Sequence, residues 1–90
     1  MTTFEKFKKA IIEMYKDGEL DKILKHCKRS ERKAVKNDIK VIEVFVEFYE
    51  SHNKDLNSFS IMPLLMQLES VEVYKDALAY MLKYDEKKEA

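Results

Sequence analysis

Gly18 is the only glycine in this 90-residue chain and Pro63 the only proline. Tight β-hairpins turn on residues that accept positive φ or a fixed φ, so a strand-rich fold has almost nothing here to turn on. The same scarcity leaves no Gly-rich loop to cradle a phosphate. An all-α fold is predicted: a small single-domain irregular bundle of four or five helices with a long central helix. Ninety residues suffice for one modest core and not for two, so the domain is expected to span residues 1–90, with a frayed tail from about residue 85.

One stretch tests that reading. In "DIKVIEVFVEFYE", Ile39, Val41, Ile42, Val44, Phe45, Val46, Phe48 and Tyr49 have the β-branched and aromatic character of a strand. The polar residues decide otherwise. Lys36, Lys40, Glu43, Glu47 and Glu50 recur at spacings of four, three, four and three, one narrow stripe of a helix. As a strand the segment would place carboxylates or lysines on both faces. It reads as a helix from about Arg32 to Ser51 whose apolar arc covers roughly two thirds of its circumference, and hence as the central element.

Around it the spacing predicts a first helix over about residues 3–17, with Thr3 as N-cap, Phe4, Phe7, Ile11, Met14 and Tyr15 inward, and Gly18 as its stop. A second helical piece begins near Leu20 or Asp21 and turns Leu20, Ile23, Leu24 and Cys27 inward. "KRSERK" then interrupts the pattern, and Ser30 is the residue able to cap a new helix there. "SHNKDLNS" reads as the one real loop. Ser60 is expected to cap a short helix with Pro63 in its first turn, and Ile61, Leu64, Leu65 and Leu68 form its buried side. The last helix, over about residues 70–83 or a little beyond, is expected to bury Tyr74, Ala77, Leu78, Met81 and Leu82.

Chemistry finds little to work with. Cys27 is the only cysteine, which excludes an internal disulfide and fits a reducing compartment, and no general base is paired with it in sequence. His26 is its neighbour on a different side of a helix and His52 stands alone at a loop edge, so no metal site is expected. Glu43, Glu47 and Glu50 share a face without the Glu-x-x-His partner of a carboxylate-bridged di-metal centre. No P-loop, zinc spacing, long heptad seam or repeat signature is present. Neither an enzyme nor a cofactor is expected. No apolar run nears the length of a membrane span, and acids occur throughout the first twenty residues where a signal peptide would carry an apolar core. A cytoplasmic location without membrane contact follows as an expectation.

Two surfaces remain. Seventeen basic and seventeen acidic side chains cancel, yet residues 22–40 hold eight Lys or Arg against Glu31 and Asp38, a local excess of six positive charges. Were that segment one helix, the eight cations would share an arc of about 140°, a phosphate-binding face. Lys25, Lys28, Arg29, Arg32, Lys33 and Lys36 are its candidate contacts. The same pattern is also the ordinary solvated side of an amphipathic helix, and no aromatic residue interleaves it for base stacking. The second surface is the oversized apolar arc of the last helix, about 200° wide. Within it Val73, Tyr80 and Tyr84 form a stripe that either meets a protein partner or closes the core against the first helix. Met62 and Met66 either extend an adaptable contact surface or fill core gaps. The preferred expectation is a non-catalytic interaction or regulatory module acting through protein contacts, by self-association or docking on a larger partner. The alternative is binding of a nucleic-acid backbone through residues 22–40.

Overall fold

A computed structural model describes residues 2–89, with side chains as far as Asp85. Among the described residues there are five α-helices and no strand: α1 (Thr3–Lys16), α2 (Glu19–His26), α3 (Arg32–Ser51), α4 (Ile61–Gln67) and α5 (Val71–Glu89). Short 3₁₀ turns, Arg29–Glu31 and Leu56–Ser58, precede α3 and α4. The all-α bundle expected from the sequence is present, with α3 spanning the residues its polar stripe marked out.

The helix ends follow local chemistry. The N-cap of α1 is Thr2 rather than Thr3: Thr2 Oγ1 accepts from Glu5 N at 3.2 Å and Glu5 Oε1 accepts from Thr2 N at 3.2 Å. The reciprocal bonds require Glu or Gln three residues after the cap, which Thr2 has and Thr3, followed by Lys6, lacks. Gly18, at φ 76°, carries the chain from α1 into α2, in a region where a side chain would strain the backbone. Ser30 does not cap α3. It lies within the 3₁₀ turn, and the cap position falls to Glu31, whose side chain makes no capping bond. Ser60 caps α4 as expected, accepting from Met62 N at 3.3 Å, with Pro63 in the first turn. The backbone of α5 continues to Glu89, past the end expected near residue 83. The frayed tail expected from about 85 falls almost wholly on side chains outside the described residues.

The core forms where α1, α3 and α5 meet. Ala10, Ile11, Met14, Ile42, Leu64, Val73 and Ala77 are almost wholly enclosed, with Val35 buried at the start of α3. Along α1 and α5 the pairs Lys6–Asp85, Glu13–Tyr84 and Asp17–Tyr80 show that the two helices run in opposite senses. The solvated stripe of α3 is where the periodicity places it, with Lys36, Lys40, Glu43, Glu47 and Glu50 all exposed. Its apolar arc is less completely covered than its width suggests. Ile42 and Val46 are buried and Phe45 and Tyr49 half-buried, but Val44 and Phe48 face solvent.

Two buried polar side chains tie distant elements together. Asp38 on α3 is fully enclosed, and its two carboxylate oxygens accept from Glu69 N and Ser70 N, each at 2.8 Å. A carboxylate there satisfies the amides of the two residues before α5 and lies beside the positive end of that helix's dipole. Asn37 adds a bond from Nδ2 to Gln67 O at 3.0 Å. On the other side of the core, Lys8 Nζ donates to Leu56 O at 2.8 Å and Phe59 O at 2.6 Å, holding the segment between α3 and α4 against α1.

Candidate interaction surfaces

α5 has two apolar faces; the sequence left the role of the Val73, Tyr80 and Tyr84 stripe open and expected Leu78 and Leu82 inside, and the structure settles both. Val73 is completely buried and Tyr80 nearly so. Tyr84 is half-buried, with its ring under Lys9 Nζ and its hydroxyl donating to Glu13 Oε2 at 2.7 Å. Tyr80 donates to Asp17 Oδ2 at 3.1 Å. Burial foremost, and then these carboxylate acceptors, push both phenols well above the usual tyrosine range. The stripe of Val73, Tyr80 and Tyr84 therefore closes the core against α1 and is no free contact surface. The physical reason is in the tyrosines themselves. Each buries a large ring and still finds an acceptor for its hydroxyl at the α1 edge, a combination suited to an intramolecular seam.

The opposite face is open. Val71, Leu78 and Leu82, of which the last two were expected in the core, are 56%, 55% and 63% exposed. At 100° per residue these three positions fall within about 40° of one another, on the side of α5 directly away from Val73, Ala77 and Tyr80. Lys75, Ala79 and Asp85 are exposed beside them. Met62 and Met66 on α4 are also exposed, so neither fills a core gap. The signal missed in the sequence is a second periodicity: Val71, Lys75, Leu78 and Leu82 recur at four, three and four residues inside an arc read as a single broad face.

The basic segment is not one helix. Lys22 and Lys25 belong to α2, Lys28 to the turn after it, Arg29 to the 3₁₀ turn, and Arg32, Lys33, Lys36 and Lys40 to α3. The single 140° arc does not exist, because Cys27 and Lys28 take extended conformations and break the helix. All eight cations are nevertheless exposed. Among the described residues the ion pairs join Lys6 to Asp85, Lys9 to Glu13, and Lys16 and Lys54 to Glu50, and none involves the segment. Of the segment's two acids, Asp38 is buried on backbone amides and forms no ion pair with the cations among the described residues. α3 also begins with Arg32 and Lys33, cations at the positive end of its dipole, with Glu31 at the cap position the acid beside them and no side-chain cap bond.

Between α2 and α5 lies an open cleft of about 230 Å³ lined by Glu19, Lys22, Ile23, His26, Cys27, Glu72 and Asp76. Asp76 Oδ2 is buried without a donor, and burial, followed by the nearby Glu19 carboxylate, raises the Asp76 carboxyl above its ordinary range. His26 and Cys27 both line the cleft, but among the described residues no three His, Cys, Asp or Glu side chains are placed to hold a metal ion. His52 stacks on Phe48 at 3.9 Å between ring centroids, at the far end of α3. Among the described residues no helix is long and apolar enough to cross a membrane.

No family model, curated protein or solved structure matches the chain.

Proposed function

We propose that this protein is a non-catalytic interaction module that docks through the outer face of α5, in a cytoplasmic setting. The single observation that carries the reading is the exposed row of Val71, Leu78 and Leu82, backed by a buried row on the same helix. Single exposed apolar residues are ordinary, whereas three aligned along a helix whose other side is already packed present a ready-made contact. Fully burying an exposed leucine contributes roughly 1.5–3 kcal/mol, so a partner covering the remaining 55% of Leu78 and 63% of Leu82 gains about 2–3.5 kcal/mol before ordering costs. The test is photo-crosslinking in cells that make the protein. A photoreactive residue at position 78 should give a discrete protein adduct, and one at position 47, on the solvated stripe of α3, should give none. Equal labelling at both positions, or none at 78, overturns the reading.

A second reading, contact with a nucleic-acid backbone, is favoured by the eight exposed cations around the α2–α3 corner, none of them ion-paired among the described residues. If they neutralise phosphates together, log affinity for duplex DNA falls against log salt with a slope of roughly −0.9 per phosphate contacted. Arg29→Glu with Lys33→Glu should remove that binding and leave the helical circular dichroism signal intact, because both side chains face solvent. A flat salt dependence, or binding unaltered in the double variant, would sink it.

A further inference from the structure

The open face of α5 carries more than apolar residues, and its charges specify what can cover it. Val71, Lys75, Leu78, Leu82 and Asp85 follow one another at spacings of four, three, four and three, the pattern of a heptad seam, and all five are exposed. Resting on the docking role proposed for this face, we infer that its partner is a second copy of the chain, with the two α5 helices antiparallel and crossing at position 80.

The argument is one of symmetry. In an antiparallel pair related by a two-fold axis, residues equally far on either side of the axis face each other. Leu78 and Leu82 lie two residues either side of position 80, so an axis there sets Leu78 of each copy on Leu82 of the other. Lys75 and Asp85 lie five residues either side of the same position. The axis that joins the leucines therefore also joins each Lys75 to an Asp85 of the second copy, giving two apolar layers closed at both ends by an ion pair. A parallel pair would instead set Lys75 on Lys75 and Asp85 on Asp85, which like-charge repulsion disfavours. Lys75 has no carboxylate partner within its own chain among the described residues. Asp85 holds Lys6 through Oδ1, and its side chain stays half exposed. Ala79 beside the seam is small enough for the helices to approach closely. Tyr80, on the axis in sequence, points into its own core, so nothing bulky stands between the copies.

Two leucine layers and two exposed ion pairs make an interface smaller than a standard one, so association is reversible and weak, on the order of 10 µM to 1 mM. Sedimentation equilibrium at low salt over that range should show the mass rising toward two chains. Lys75→Glu alone and Asp85→Lys alone should each weaken self-association at least tenfold, since each then faces like charge twice. An equimolar mixture of the two variants should associate again. In the mixed pair the carboxylate introduced at position 75 of one copy meets the ammonium introduced at position 85 of the other, and at the opposite end the native Lys75 meets the native Asp85. Lys75→Glu carries the greater weight, as it disturbs no ion pair within the chain, and circular dichroism checks that both variants fold. A strict monomer throughout the range overturns the inference, as does Lys75→Glu associating like the wild type or a mixture that stays monomeric. If the chain is monomeric and the adduct at position 78 belongs to another protein, self-pairing fails while the docking reading stands. If position 78 gives no adduct at all, the docking reading fails with it.

Discussion

At the scale of single residues, the most consequential side chain is Asp38, an acid within a basic stretch. It is fully buried and holds the two backbone amides that immediately precede α5. Asp38→Ala leaves both amides without acceptors in the interior, and bonds to a charged group contribute roughly 1.5–3 kcal/mol each. Thermal or denaturant unfolding should show a loss of about 3 kcal/mol, with Asp38→Asn milder because an amide oxygen can still accept one bond. Asp76 works in the opposite sense. Its carboxyl is raised in the folded protein, so folding favours the protonated form, and its contribution to stability is best at acid pH and declines as pH rises from the ordinary carboxylate value through the raised one. Asp76→Asn, which needs no proton, should therefore raise the melting temperature at pH 7. That advantage should shrink as the pH falls toward the ordinary carboxylate value. A variant less stable than the wild type at neutral pH would contradict the buried, donorless oxygen.

At the scale of helices, α3 shows what periodicity can and cannot deliver. Its limits and its wet stripe were legible because five charged residues repeat at helical spacing, a constraint of the chain itself. Which apolar residue sits deepest was not, since an arc wider than one partner can cover says nothing about where the neighbours stop. Phe45 is half-buried beside the Phe59 ring, whereas Ile42 is sealed. Ile42→Ala should accordingly cost about 2–5 kcal/mol, and Phe45→Ala less than the roughly 3–5 kcal/mol of a fully enclosed phenylalanine. Equilibrium unfolding of the two variants ranks them directly. On α5 the ambiguity was sharper. An apolar arc of about 200° contains two usable faces, and the one packed inward finds hydroxyl acceptors on Glu13 of α1 and on Asp17 just past its end, which no inspection of α5 alone could supply.

At the scale of the whole molecule, one bundle exposes a row of apolar residues on α5, with further ones on α3 and α4, and a basic surface around the α2–α3 corner. The fold class was legible from two scarce residue types, glycine and proline, because turn chemistry acts locally. The surfaces were not, because exposure is a property of neighbours supplied from far along the chain: Tyr84 is covered by α1, a helix at the opposite end of the sequence. The same reach gives the linker before α5 an unusual dynamic character. Amides in a connection between helices ordinarily exchange readily with solvent deuterium, through local fluctuation. Those of Glu69 and Ser70 end on the fully buried Asp38 carboxylate of α3, the Ser70 bond itself within the interior, so the linker is tied to the core rather than to solvent. Their protons should exchange only when α3 and α5 part, at rates matching the slowest core amides, and Asp38→Asn should release them ahead of the rest.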